Sequence, residues 1–353
     1  MVPKVLYSKI IGVGGYLPEK LVTNFDLEKT IDTSDEWIKS RTGIAQRHIA
    51  AEDEFTSHLG YKAALAAISN ANISKDEIDL IITCTNTPDN TFPSTANKIQ
   101  GYLGVGNIPS FDLQAICSGF LYGLQTADSM IKSGKYRTVL LVCADKMSSI
   151  LDWQDRKTCV LFGDGAGALV LRKSDALKSD TLADSTSDSL SSISSDVLSS
   201  SIPTRTLASG IIDCEIFSDG KLADILYTDG GVSSSGKSGV VQMVGQEVFK
   251  KAVERMSESV HNILKKNHFT IDDVSYLIPH QANLRIISNM VNQFGISQDK
   301  VVVTIDKHAN CSAASIPLAL GELQLTKTIK SGDILVFTAF GAGATWGAAI
   351  VRW

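Results

Sequence analysis

The sequence predicts an α/β fold made of two similar halves. Three observations carry that expectation. Apolar runs such as Thr138–Ala144 (TVLLVCA) and Asp333–Ala339 (DILVFTA) are of the kind buried on both faces of a parallel sheet. Such runs alternate with helical patterns, which is the α/β signature. The second half also echoes the first. Val274–Ile278 resembles Leu80–Thr85, Val301–Ile305 with its Asn310 corner resembles the strand and corner at Cys117, and Gly341–Gly343 resembles Gly163–Gly167. Between the halves, Ser179–Ser201 is a low-complexity run of Ser, Asp and Thr that buries too little apolar surface to offset its ordering entropy. The expected organisation is therefore a half over 1–174, an insert over 175–207 and a second half over 208–353.

Each element has a local reason. Val5–Val13 is an apolar strand, ended by Gly14-Gly15 and Pro18. Gly12-x-Gly14-Gly15 is rejected as a dinucleotide loop, because Pro18 follows and no helix does. Asn24 begins a short helix, and Thr33-Ser34-Asp35-Glu36 reads as a capping box for another that Gly43 ends. Trp37 and Arg41, four apart on that helix, share a face. Phe55–Ala71 is helical, Ser74–Glu77 repeats the capping signature, and Leu80–Thr85 is a strand. Asp89–Pro93 is a loop whose Pro93 suits the first turn of the next helix. Asp155-Arg156 precedes a further strand, and Phe162–Ala168 is a Gly-rich turn followed by the strand-like ALVLR. Val248–Lys266 is a long helix carrying Lys250, Lys251, Arg255, Lys265 and Lys266.

The totals exclude several classes. With 353 residues and a hydrophobic fraction of 44%, the chain can bury a large core. A net charge of −5 gives no support for nucleic-acid binding. The six cysteines have neither CxxC nor metal-ligand spacing, and read as reduced thiols of a cytoplasmic protein. No run reaches the ~18 apolar residues of a membrane span. The N-terminal MVPKVLYSKIIG is too strand-like for a signal peptide.

The chemistry centres on Phe111–Phe120 (FDLQAICSGF), where an apolar strand meets a helical pattern. Cys117 then lies at a helix N-terminus, which favours an anion. A thiol so placed is expected to have a lowered pKa and to act as a nucleophile; packing as a small buried hydrophobe is the ordinary alternative. Tyr276–Asn283 (YLIPHQAN) and Val301–Ser315 (VVVTIDKHANCSAAS) each put a polar group, His280 or Asn310, past the C-terminal end of a strand. Open α/β sheets build their sites there. Cysteine, histidine and asparagine together form a candidate nucleophile set.

These segments, with IIGVGGYLPE, DTSDEWIKSRTGI, TFPSTA, FGDGAGA and the terminal GAGATWGAAIVRW, resemble β-ketoacyl-acyl carrier protein synthase III of the thiolase superfamily. The resemblance covers nearly the whole chain apart from about 175–207. It implies the thiolase fold, two αβαβα halves in one five-layered unit. It implies Cys117, His280 and Asn310 as the catalytic set, with the backbone N–H groups of Cys117 and Ala342 as the oxyanion hole. Loss of one such donor typically costs about 3 kcal/mol. Trp37, Arg41, Arg156, Gly245, Phe249 and Asn283 match coenzyme A and pantetheine contacts, and Phe92 matches the residue that closes a dimer partner's acyl pocket. Lys250 and Arg285 match carrier-protein docking positions; Lys251 is added for its charge. Asn292 and Gln293 stand where the family often has lysines.

The implied activity is decarboxylative condensation of an acyl-CoA primer, acetyl-CoA first among candidates, with malonyl-acyl carrier protein to start fatty acid synthesis. Acyl-CoA is a substrate, no metal or cofactor is implied, and a cytoplasmic homodimer is. Two other readings compete: an acyltransferase of secondary metabolism using the same residues, and a non-catalytic acyl-CoA or carrier-protein binding module. A true thiolase fits less well, since Thr345-Trp346 stands where its second catalytic cysteine would be.

Overall fold

The computed structural model describes residues 6–175 and 209–353. The expected Ser179–Ser201 insert lies outside them. The first half runs β1 (Leu6–Tyr16), β2 (Lys20–Thr23), α1 (Asn24–Leu27), α2 (Asp35–Thr42), β3 (Gln46–Ile49), α3 (Thr56–Asn70) and β4 (Leu80–Cys84). It continues with α4 (Thr95–Leu103), β5 (Ser110–Leu113), α5 (Gly119–Lys132), β6 (Thr138–Asp145) and β7 (Gly165–Asp175). The second half holds β8 (Gly210–Ser218), β9 (Leu226–Thr228), β10 (Val241–Met243), α6 (Gly245–Lys266), β11 (Tyr276–Pro279) and α7 (Leu284–Phe294). It ends with α8 (Ile305–His308), α9 (Ser315–Thr326), β12 (Ile334–Gly341) and β13 (Thr345–Arg352).

Two mixed sheets form, ordered β1-β7-β6-β4-β5 and β11-β12-β13-β8. Strand alternation sorts their side chains into layers. On β6, Val139, Leu141 and Cys143 face a central core that also takes Leu335, Phe337 and Ala339 of β12. Leu140, Val142 and Ala144 face an outer core with α3 and α4. On β12, Ile334 and Val336 face the other outer core, with α6 and α7. Helices α5 and α9 fill the centre between the sheets. The order is thus helix, sheet, helix, sheet, helix.

Several local expectations change. Ser34, not Thr33, caps α2, its hydroxyl accepting from Trp37 N at 3.1 Å. Pro93 precedes the cap of α4, which is Ser94. No strand follows Asp155-Arg156; Lys157–Leu161 turns, and the Gly-rich segment is itself the start of β7. Its small residues let α9 close in, since a Cβ on Gly167 would lie 2.7 Å from Pro317. Val301–Ile305 is not a strand either. Val301 makes a single parallel bridge to Leu277. Then the Gln281 side chain takes over the ladder's hydrogen bonds, donating to Val302 O at 3.1 Å and accepting from Thr304 N at 2.9 Å. The apolar pattern there reflects burial without pairing. The expected parallel ladder holds for β4, β5 and β6, while β7 and β13 run antiparallel to their neighbours. No helix among the described residues is long and apolar enough to cross a membrane.

Helix α3 lies directly on β1. A Cβ on Gly14 would sit 2.2 Å from Ala67 N and 2.4 Å from Ala63 O, which are backbone atoms that cannot swing away. Gly14→Ala should therefore destabilise the fold by about 3 kcal/mol through overpacking. Gly220→Ala, where a Cβ meets nothing within 4 Å, should change stability little. Urea unfolding of both variants checks this.

Candidate active site

Cys117 is set by a bend. After β5 the chain turns through Ile116, a β-branched residue at φ 48°, and enters α5 at Gly119. Such a dihedral is strained for isoleucine, so the surroundings must hold it. Ser118 Oγ donates to Thr345 O at 2.8 Å, and Thr345 Oγ1 donates to Ala115 O at 3.0 Å. The end of β12 abuts the same corner: a Cβ on Gly341 would lie 2.9 Å from Cys117 N and from Ser118 N. Only glycine allows that approach. Ala342 follows without positive φ and lines a cavity together with Cys117.

His280 leaves the end of β11 and is 1% exposed. Its Nδ1 lies 2.6 Å from Ser315 Oγ, which accepts from Gln281 N at 3.3 Å. The remaining Ser315 hydroxyl hydrogen has Nδ1 as its acceptor, which assigns the His280 proton to Nε2. Burial pushes the His280 pKa down to about 3, so the ring is neutral. Asn310 stands between two strained residues, Ala309 at φ 57° and Ser312 at φ 50°. Its Oδ1 accepts from Ser312 N at 2.9 Å, which leaves the amide NH₂ as the free group.

Two cavities meet at Cys117, sharing Phe162 and Leu226 with it. One is largely apolar, with Ile116, Met147, Ile150 and Val241. The other carries His280, Asn310, Gly245, Phe249 and Asn283. Six residues named from the sequence thus surround one space. The expected low thiol pKa does not survive: loss of water pushes Cys117 up to about 12, the Ser312 hydroxyl opposing and the Asp145 charge adding to the rise. Enclosure outweighs the helix end here.

The remaining residues lie elsewhere. Arg41 and Arg156 both stack on Trp37, their guanidinium carbons 5.0 and 5.4 Å from the ring centroid. Arg156 also donates to Asp32 O at 2.6 Å. Asn283 caps α7, accepting from Arg285 N at 2.8 Å, and the Arg285 guanidinium donates to Ser40 O at the end of α2. Arg285 therefore braces α7 against α2 as well as facing solvent. Lys250 is exposed, while Lys251 pairs with Glu254 at 3.0 Å. Phe92 is 83% exposed. Sequence reasoning missed Asn86, Asp145, Ser312 and Ser315. Among these only Asp145, an acid closing an all-apolar strand, left a signal.

A β-ketoacyl-[acyl-carrier-protein] synthase III of Rickettsia bellii is 54% identical over 345 residues, covering 98% of this chain and 99% of the relative. This chain belongs to that family. It is a family of condensing acyltransferases. Family models for 3-oxoacyl-[acyl-carrier-protein] synthase III match residues 111–189, and for its C-terminal part residues 264–353. The crystal structure of the synthase III from Aquifex aeolicus VF5 superposes with TM-score 0.85 at 42% identity, covering 98% of this chain and 100% of that one. The priming β-ketosynthase of the R1128 polyketide pathway gives TM-score 0.85 at 30% identity, covering 100% and 98%. The thiolase fold expected from the sequence is thereby established.

Neutral burial of His280 has a measurable cost. Its folded pKa is below its unfolded value near 6.5, so its contribution to stability is present above pH 6.5 and is lost as pH falls. Asp145, raised to about 6, acts in the opposite sense. The His280→Asn variant isolates the histidine. Between pH 7 and pH 5 it should lose about 2 kcal/mol less stability than the wild type, as read by urea unfolding at the two pH values.

Proposed function

We propose that the chain condenses an acyl-CoA primer, acetyl-CoA first among candidates, with malonyl-acyl carrier protein, releasing CO₂ and coenzyme A and starting fatty acid synthesis. The observation that carries this reading is the position of Cys117 where an apolar cavity meets one bearing His280 and Asn310. The apolar cavity receives the primer's acyl group. The other receives the pantetheine arm past Gly245, Phe249 and Asn283, with the adenine at Trp37, Arg41 and Arg156.

Cys117 attacks the thioester carbonyl, and the N–H groups of Cys117 and Ala342 hold the oxyanion. Coenzyme A leaves, and malonyl-acyl carrier protein enters the same tunnel. Its carboxylate departs as CO₂ while His280 Nε2–H and the Asn310 amide donate to the enolate oxygen. A neutral imidazole suits this task, because it donates without needing to titrate. The carbanion then attacks the acyl-Cys117 thioester and expels the thiolate. The residues 1–174 and 208–353 act as one catalytic unit, requiring no metal or cofactor. It works as a cytoplasmic homodimer in which exposed Phe92 closes the partner's primer cavity. Lys250 and Arg285 dock the carrier protein; Lys251, paired with Glu254, contributes less.

A second reading, the priming of a secondary-metabolite pathway, is favoured by the likeness to the R1128 priming ketosynthase. Intact mass after incubation with a panel of acyl-CoAs separates the two by the primer accepted. Cys117→Ala should give no acyl-enzyme. His280→Ala and Asn310→Ala should acylate yet lose malonyl decarboxylation by a hundredfold or more, on the order of 3 kcal/mol. A folded His280 variant that fails to acylate would overturn this division of roles. Lys250→Glu should weaken use of the carrier substrate roughly tenfold, about 1.4 kcal/mol. Its acylation by acyl-CoA should be unchanged, with steady-state kinetics on each substrate as the measurement.

A further inference from the structure

Behind Cys117 lies a buried acid that the condensation chemistry leaves unused. Asp145 ends β6 and is fully buried. Its Oδ1 accepts from Asn86 N at 2.8 Å, Thr85 Oγ1 at 3.1 Å and Thr87 Oγ1 at 3.3 Å. Its Oδ2, equally buried, has no hydrogen bond of normal geometry among the described residues. A carboxylate oxygen left in this state is costly, and a proton would satisfy it. Burial raises the Asp145 pKa to about 6, while the Ser312 hydroxyl and the Ala313 N–H lie close enough to favour its ionised form.

Ser312 is the link. It is fully buried, held at φ 50°, and its turn packs against both the Cys117 corner and the end of β6. Its Oγ accepts from Asn86 Nδ2 at 3.4 Å. The same hydroxyl interacts with the Cys117 sulfur and with Asp145. With one lone pair engaged by Asn86, Oγ can take the thiol proton on its other lone pair and give its own hydrogen to Oδ2. Cys117, Ser312 and Asp145 then form a line from the nucleophile to a buried base.

We propose that Asp145 accepts the Cys117 thiol proton through the Ser312 hydroxyl during acylation. The S–H bond breaks, the proton joins Ser312 oxygen, and the Ser312 hydroxyl proton moves to Asp145 Oδ2. The freed sulfur lone pair attacks the thioester carbon. The departing CoA thiolate takes a proton from solvent, and the Asp145 carboxylic acid returns one to solvent. In condensation the expelled Cys117 thiolate is reprotonated along the same line. The transfer answers the problem of a thiol held neutral by burial: the ionised acid that repels a thiolate loses its charge as the thiolate appears. The titratable groups that feel the charge of Asp145 are the thiols of Cys117, of Cys143 on β6 and of Cys311 beside Ser312. The adjacent Lys146 ammonium leads away, to Ala51 O and Glu54 O.

The proposal rests on Cys117 being the acylated residue. Its test is single-turnover acylation by acetyl-CoA, followed by intact mass across pH 5 to 8, for wild type, Asp145→Asn and Ser312→Ala. Acylation by the wild type should fall as pH drops through about 6, where Asp145 takes up its proton. Both variants should acylate about a hundredfold more slowly and lose that inflection. Asparagine keeps an oxygen for Thr85, Asn86 and Thr87, so the fold around Asp145 is preserved; if that variant does not fold, Ser312→Ala and the wild-type profile decide. A residue that acted only as a buried charge would give the opposite sign. Its removal would ease thiolate formation, and Asp145→Asn would acylate at the wild-type rate or faster. That result, or a wild-type profile flat through pH 6, overturns the relay while leaving the proposed condensation intact. A wild type that forms no acyl-enzyme removes the reading beneath it as well.

Discussion

The structure depends on one close approach. Helices α5 and α9 begin at the same point between the two sheets, one after Cys117 and the other after Asn310. A Cβ on Gly119 would stand 3.1 Å from Ala313 Cβ and 3.2 Å from Cys84 Cβ. Only small residues permit this, which is why Ser-Gly follows Cys117 and Ser-Ala-Ala-Ser follows Cys311. The same crowding bends the backbone into positive φ at Ile116, Ala309 and Ser312. Local strain is thus concentrated at the residues around the site and is offset by the large core on either side.

That convergence explains the electrostatics. Water is excluded from the corner, so each titratable group is held in its uncharged form. The thiol and the carboxyl shift up and the imidazole shifts down. Enclosure also makes directed hydrogen bonds count for more than charge. Ser315 sets the imidazole tautomer, and the Ser312 N–H sets which face of the Asn310 amide is free. Two serines in a run of small residues decide what the neighbouring functional groups can donate.

Much of this was legible in the sequence because the relevant signals are local. Strand-corner-helix junctions mark Cys117, His280 and Asn310 by composition alone, and the alternation of apolar runs with helical patterns marks the layers. The failures share a cause. Val301–Ile305 and Lys157–Leu161 carry strand-like apolar patterns because they are buried, yet Gln281 and the Asn310 corner take the hydrogen bonds that a neighbouring strand would have made. Pairing partners distant in sequence decide such segments. The thiol's pKa was misjudged for a related reason: a helix end can be read from one segment, whereas enclosure is made by β12, β13 and the Ser312 turn together. Arg285 and Lys251 were read as free charges, and only the fold shows that each already has a neighbour.

The burial of Cys117 bears on durability as well as reactivity. Peroxide attacks thiolates, and attack scales with exposure. At rest Cys117 is 5% exposed and keeps its proton, so an oxidant finds neither the anion nor a path to it. The sulfur gains nucleophilic character only when a thioester fills the space in front of it, and that bound molecule then takes the place of any oxidant. The enzyme can wait between turnovers with its nucleophile unspent.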